Sequence, residues 1–250
     1  MKIIVQPKYQ HQSASDFVAR LPEAFEREGE VIYAGRNVVK RFDTAYGEWI
    51  VKRYKTPNLI QRLAYTFWRK SKAERAFLYA GKLNSIGIDT PEGIGYVECR
   101  KNGLFHTGYF ISTACNYPPL HPVLVTSTDF DKRLASALAS FLVSMHCKGF
   151  MHGDPNPANI LYHTDEKRRF RFSVIDTNRS VFKASLSRKE CLDNLKRVTH
   201  RRDLLQYIVE EYAMQRKWNV GKSVEQVMHA LDRFEKRRQF KRFLKPKHSS

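Results

Sequence analysis

Two runs in the second half of the chain limit its fold more than any other feature. Phe150-Met-His-Gly-Asp-Pro-Asn-Pro-Ala-Asn-Ile-Leu-Tyr162 sets His152, Asp154 and Asn159 ahead of an apolar segment, and Phe172-Ser-Val-Ile-Asp-Thr-Asn-Arg179 ends another on Asp176. Asn159–Tyr162 and Arg171–Ile175 read as two strands, with Thr164-Asp-Glu-Lys-Arg-Arg169 as the turn between them. Such a hairpin presents Asn159 at the start of one strand and Asp176 at the end of the other. An amide oxygen and a carboxylate then emerge at one end of the hairpin, and both are hard donors of the kind Mg²⁺ prefers.

The spacing HxDxxxxN, followed by a hairpin and a strand-ending aspartate, is that of a kinase catalytic loop. Phosphoryl transfer asks the protein mainly for positioning and charge neutralisation. On this reading Asp154 meets the acceptor hydroxyl, while Asn159 and Asp176 hold Mg²⁺ against the phosphates of ATP. His152 is expected to bond backbone and brace the loop rather than to act as a base.

The upstream sequence fits a nucleotide-binding sheet. Glu30–Phe42 reads as two strands around Gly35, and Trp49-Ile-Val-Lys-Arg-Tyr54 as a third carrying Lys52. A lysine in that strand reaches α- and β-phosphates. The first turn, Tyr33-Ala-Gly-Arg-Asn37, lacks the GxGxxG pattern, so the phosphate cradle at Gly35 is built differently. Ser71–Ala80 reads as a helix, and its Glu74 is the expected ion-pair partner of Lys52. Arg100-Lys-Asn-Gly103 signals a hairpin turn between two further strands. Residues 113–117 then serve as a hinge, giving an expected nucleotide-binding lobe over 1–115 and a mainly helical lobe over 116–250. Residues 1–30 read as mixed, with a short helix near 15–20. In the second lobe Thr128–Asp131 is a capping-type start for a helix with a buried Leu134, Leu138, Phe141, Leu142, Met145 stripe.

Charge narrows the partners. The chain has 44 Lys and Arg against 25 Asp and Glu, a net charge of +19, and a field of that sign concentrates anions. Leu59-Ile-Gln-Arg-Leu-Ala-Tyr-Thr-Phe-Trp-Arg-Lys70 interleaves apolar, aromatic and basic residues at helical spacing. The end of the chain, Leu231–Lys247, piles basic residues on a second such helix. Both suit an anionic lipid surface, although a helix packed on its own lobe gives the same pattern. No run reaches the roughly 20 apolar residues of a bilayer span. The four cysteines (Cys99, Cys115, Cys147, Cys191) show no CxxC pair and no secretory leader precedes them, so they read as reduced thiols of a cytoplasmic protein.

Val51-Lys-Arg-Tyr54, Lys70–Phe77, Gly87-Ile-Asp-Thr-Pro91, His152-Gly-Asp154 with Asn159, and Ile175-Asp-Thr-Asn-Arg179 together resemble the lipopolysaccharide kinase (Kdo/WaaP-like) family, in order, over about residues 30–210. The resemblance implies an α+β, two-lobed protein-kinase-like fold in a bacterial enzyme that uses ATP and Mg²⁺. It implies phosphorylation of a sugar hydroxyl of the lipopolysaccharide inner core, and the basic tail and the aromatic-basic helix at 58–70 add the expectation of a protein held peripherally at the inner face of the cytoplasmic membrane. Lys52 and Glu74 would then form the nucleotide-anchoring pair, Asp154 would be the catalytic aspartate, and Asn159 and Asp176 the metal ligands. Acceptor identity carries over less directly. HGDxxxxN is equally the loop of aminoglycoside and choline phosphotransferases, which keeps a small-molecule or atypical protein kinase as an alternative. Asn156 in place of a lysine two residues after Asp154, and the absence of Ala-Pro-Glu, disfavour an ordinary Ser/Thr kinase. A pseudokinase-like module binding lipid or nucleic acid is the remaining alternative, and the retention of Lys52, Asp154, Asn159 and Asp176 weighs against it.

Overall fold

The computed structural model describes residues 1–10 and 12–243, the side chains of 12, 13 and 241–243 aside. It divides into two compact units, Met1–Asn116 with Asp176–Asn178, and Tyr117–Ile175 with the residues from Arg179 onward.

The first unit is a six-stranded antiparallel sheet with helices against it. β1 (Lys2–Val5), β2 (Glu30–Ala34), β3 (Val38–Thr44), β4 (Gly47–Arg53), β5 (Gly93–Lys101) and β6 (Leu104–Thr113) lie in the order β1-β5-β6-β4-β3-β2. Asn102 and Gly103 both take positive φ, 54° and 76°, as a tight turn matching the strand twist requires. Period-2 alternation along β4 sends Trp49 and Val51 to one face and Lys52 and Tyr54 toward the other.

Trp49 and Val51 pack with Ile94, Val97 and Ile111 beneath α1 (Gln12–Arg27), whose Ala14, Val18, Leu21 and Phe25 complete this core. The sequence suggests only a short helix near 15–20, whereas α1 runs to Arg27 although Pro22 inside it lacks the backbone donor that a helix interior uses. Here the buried stripe through Phe25 carries α1 past it. On the opposite face α3 (Lys72–Ser85) is capped by Ser71 Oγ, which accepts from Glu74 N at 3.1 Å, and it lays Ala73 against Tyr54 and Tyr96.

α2 (Leu59–Phe67) is tied down by its polar side. Arg62 Nε donates to Phe105 O (2.8 Å), Arg62 Nη2 to Lys101 O (3.2 Å), and Thr66 Oγ accepts from Phe105 N (2.9 Å). Its apolar side faces water instead: Ile60 is 77% exposed and Trp68, just beyond the helix, 81%. An amphipathic helix ordinarily buries the apolar face; this one does the reverse.

The second unit is built on helices. α4 (Lys132–Cys147) starts at Asp131, whose carboxylate accepts from Arg133 N and Leu134 N, and buries Leu134, Leu138, Leu142 and Met145. The short strands β7 (Phe150–Met151) and β10 (Val181–Phe182) pair, as do β8 (Ile160–Thr164) and β9 (Phe170–Val174). α5 (Arg188–Leu195), α6 (Arg202–Gln215) and α7 (Val220–Phe243) follow. Phe234 of α7 stacks on His200 and lies under Arg197, docking the helix to its own unit, while Phe240 is 63% exposed. The basic tail beyond these positions, from 241 in its side chains and 244 in its backbone, lies outside the described residues.

One polar chain runs through this apolar unit. Tyr212 Oη lies 2.9 Å from His146 Nδ1, His146 Nε2 lies 3.1 Å from Asn194 Oδ1, and Asn194 Nδ2 donates to His152 O at 2.9 Å. Asn194 Oδ1 can only accept, so His146 carries its proton on Nε2 and takes the Tyr212 hydroxyl at Nδ1. Burial pushes the His146 pKa down to about 4, the Asn194 hydrogen bond opposing the shift. Between pH 6.5 and 4 the unfolded chain therefore binds a proton that the folded chain refuses, and stability falls as pH falls. The loss should approach on the order of 3 kcal/mol by pH 4. Urea unfolding at pH 7, 5.5 and 4.5 should show this slope, and His146→Gln should remove most of it; an unchanged slope in the variant would place its source elsewhere.

Candidate active site

Within the second unit, β7 leads into the loop His152–Asn159. His152 is fully buried. Its Nδ1 accepts from Asp154 N (3.0 Å), which leaves the proton on Nε2 to donate to Ile175 O (3.0 Å). Both ring nitrogens are engaged with backbone, so this imidazole braces the loop and has no lone pair free to act as a base. It also spans the hairpin, since Ile175 lies one residue before Asp176.

Asp154 is half-buried, with Oδ1 accepting from Asn156 Nδ2 (3.0 Å), while Asn156 Oδ1 accepts from Ala158 N (2.9 Å) to open the 3-10 turn Pro157–Asn159. Asn159 Nδ2 donates to Asp154 O (3.0 Å), and Asn159 O accepts from Ile175 N (3.0 Å). With its amide nitrogen committed, Asn159 offers its Oδ1 as the available polar atom. Asp154 and Asn159 are thus held by the same short loop, as their five-residue spacing requires.

Within the first unit, Lys52 Nζ pairs with Asp176 Oδ1 at 2.8 Å, and Asn178 Nδ2 donates to the same oxygen at 2.5 Å. Asp176 takes φ of 58°, a left-handed conformation costing an L residue roughly 1–2 kcal/mol, least for Asp and Asn. The two contacts to Oδ1 help to offset that cost. Tyr54 lies close by, with Lys52 Nζ 5.5 Å from its ring centroid. Its phenol is pushed well above the ordinary range by burial first and by the Asp176 charge second.

The expected Lys52–Glu74 ion pair is not among the contacts of the described residues. Glu74 instead meets Lys2 (3.7 Å) and Lys70 (3.4 Å). The cause is β1, which pairs with β5 at the sheet edge and sets Lys2 opposite Glu98, beside α3. Gly35 lies in the β2–β3 turn, its N–H donating to Asn37 O (3.1 Å), with the Tyr33 phenol folded against it.

Among the described residues no cluster of three or more His, Cys, Asp or Glu side chains is arranged to hold a metal. Asp176 in the first unit and Asn159 in the second each carry a hard oxygen donor of the type Mg²⁺ accepts.

Three supporting groups escaped the sequence reading. Asn178 sits two residues after Asp176, and Asn156 two after Asp154, so spacing offered a hint; Asn194 lies far along the chain and offered none. Gly153 adds a steric constraint, because a Cβ there would come 2.5 Å from Arg179 O and 2.6 Å from Arg179 Cβ. Gly153→Ala should therefore destabilise by about 1–3 kcal/mol. Gly81→Ala, on an open face of α3 with nothing within 4 Å, should be neutral or stabilise by up to about 1 kcal/mol. Chemical denaturation of the pair tests this, and equal effects would remove the steric account.

The model of the family described as Lipopolysaccharide kinase (Kdo/WaaP) matches residues 18–229. A solved structure described as WaaP in complex with acyl carrier protein matches with a TM-score of 0.60 at 17% identity, covering 95% of this chain and 98% of that one. At that identity the likeness shows the fold, which is protein-kinase-like. No curated protein sequence matches. With a family model spanning most of its length and an α+β fold of this kind, the chain belongs to the lipopolysaccharide kinase (Kdo/WaaP) family and is a kinase, a phosphotransferase with an alcohol group as acceptor.

Proposed function

We propose that the protein moves the terminal phosphoryl group of ATP to a sugar hydroxyl of the lipopolysaccharide inner core or a related acidic glycolipid, with Mg²⁺, at the inner face of the cytoplasmic membrane. The observation that carries this reading is the family match across residues 18–229, joined to a loop that fixes Asp154 and Asn159 by direct hydrogen bonds.

Asp154 is the catalytic aspartate in this reading. Its Oδ1 is occupied by Asn156, which leaves Oδ2 to orient the sugar hydroxyl and take its proton. Asn159 Oδ1 and Asp176 Oδ2 are the metal-holding oxygens, and Mg²⁺ would supply neutralisation of charge on the phosphates. Lys52 is the nucleotide-anchoring cation, with the backbone at Gly35 as a looser phosphate contact. Glu74 enters as a negative neighbour held by Lys2 and Lys70, not as the direct partner of Lys52.

The outward apolar face of α2 supports contact with a membrane. Leu59, Ile60, Phe67 and Trp68 are each at least 60% exposed, with Arg69 and Lys70 next in the chain. Apolar residues entering the headgroup region beside cations is the pattern of an interfacial helix. Among the described residues no helix is long and apolar enough to cross a membrane.

ATP turnover with Mg²⁺, with and without lipopolysaccharide core acceptor, tests the reaction. Asp154→Ala should lower kcat by about 10²–10⁴-fold with nucleotide affinity largely kept, whereas Asp176→Ala should weaken metal-dependent nucleotide binding. No stimulation of turnover by the glycolipid would sink the acceptor assignment, and equal loss of nucleotide binding in both variants would sink the division of roles. Ile60→Ser with Trp68→Ser should reduce flotation with anionic vesicles by about tenfold, two exposed anchors of this size being worth more than 1.4 kcal/mol together. Undiminished flotation would remove α2 from the membrane contact.

A further inference from the structure

The second unit carries a cleft of about 520 Å³ that the kinase reading does not use. It lies between the first turns of α4, the β8–β9 turn and α6, and is lined by Lys132, Arg133, Ser136, Arg168, Arg169 and Phe170, with Tyr207 as a wall. In register, Thr164 faces Phe170 at the turn end of the hairpin, and Ile160 faces Val174 at the end beside Asn159. At 3.2–3.4 Å per residue the five-residue strand β8 separates the two ends by roughly 15 Å. A ligand in the cleft is remote from Asn159.

Four cations line this cleft, and the nearby acids neutralise only one of them. Asp165 Oδ2 binds Arg169 and Arg171 at 3.0 Å each. The Asp131 carboxylate is spent on the α4 backbone, and Glu211 Oε2 accepts from Ser136 Oγ at 2.5 Å. The side chains of Lys132, Arg133 and Arg168 have no acidic partner among the described residues. Arg168 is moreover held at φ of 56°, where glycine would sit without strain. Like charges gathered in one concave site repel each other unless an anion joins them, and arginine forks match phosphate oxygens.

We propose that this cleft is a binding site for a phosphate ester, the phosphate held by Lys132, Arg133 and Arg168 and its organic body lying on Phe170 and Tyr207. The ester has two possible sources: a soluble sugar phosphate, or the headgroup of an anionic phospholipid. The site stands apart from the kinase reading, and Asp154→Ala leaves it intact.

Glucose 6-phosphate binding is measured by calorimetry, and flotation with phosphatidylcholine vesicles, with and without phosphatidylglycerol, supplies the second arm. Arg133→Glu with Arg168→Glu should weaken binding about tenfold or more, charge-assisted contacts to phosphate being the strong kind. Arg100→Glu with Lys101→Glu, an equal charge change at the β5–β6 turn, should leave it within about twofold, remote exposed charges being screened. Arg168→Gly should also lose affinity while holding or raising the melting temperature, which separates ligand contact from folding. Loss confined to the sugar phosphate assigns a soluble ligand, and loss confined to phosphatidylglycerol vesicles assigns a headgroup. No binding in either arm, or equal loss in the cleft and control variants, overturns the proposal.

Discussion

The second unit depends on keeping His152 buried and fully hydrogen-bonded. Its ring joins the backbone of Asp154 to that of Ile175, and its carbonyl is taken by Asn194. A buried polar group left without a partner costs about 1–3 kcal/mol, so each partner is constrained by the next. The chain through Asn194, His146 and Tyr212 extends this constraint into the core between α4 and α6. The loop bearing Asp154 is therefore positioned by side chains of α4, α5 and α6.

Asp176 is fixed by a different balance. A left-handed backbone is unfavourable for an aspartate, and the Lys52 ammonium and Asn178 amide stabilise it through a single carboxylate oxygen. Concentrating both contacts on Oδ1 frees the other oxygen. The same economy holds at Asp154, where Asn156 occupies one oxygen only. In each case a neighbouring amide two residues onward sets the carboxylate's orientation.

The net charge of +19 is spread unevenly in its consequences. Many basic side chains are tied into surface ion pairs, such as Arg202 with Asp232 and Glu235, and those contribute little to stability. Others, at the cleft between α4 and the β8–β9 turn, have no acidic partner among the described residues. The exposed apolar face of α2 adds a second kind of surface that folding alone does not account for, since its apolar side chains gain nothing by facing water.

The sequence by itself determined the loop, the hairpin and the strand bearing Lys52, because local periodicity, turn residues such as Asn102-Gly103 and short motif spacing report structure within a few residues. It also identified the family, through motifs kept in order. Tertiary structure alone decided who pairs with whom. Glu74 meets Lys2 and Lys70 rather than Lys52, because the edge strand β1 was not legible in the first 30 residues and brings a competing cation beside α3. α1 runs through Pro22 because burial against the sheet outweighs a local break. α2 shows helical periodicity in sequence, yet which face turns inward was settled by Arg62 and Thr66 binding β6. Periodicity gives the conformation of a segment; long-range hydrogen bonds and ion pairs give its neighbours, and those depend on residues far away in the chain.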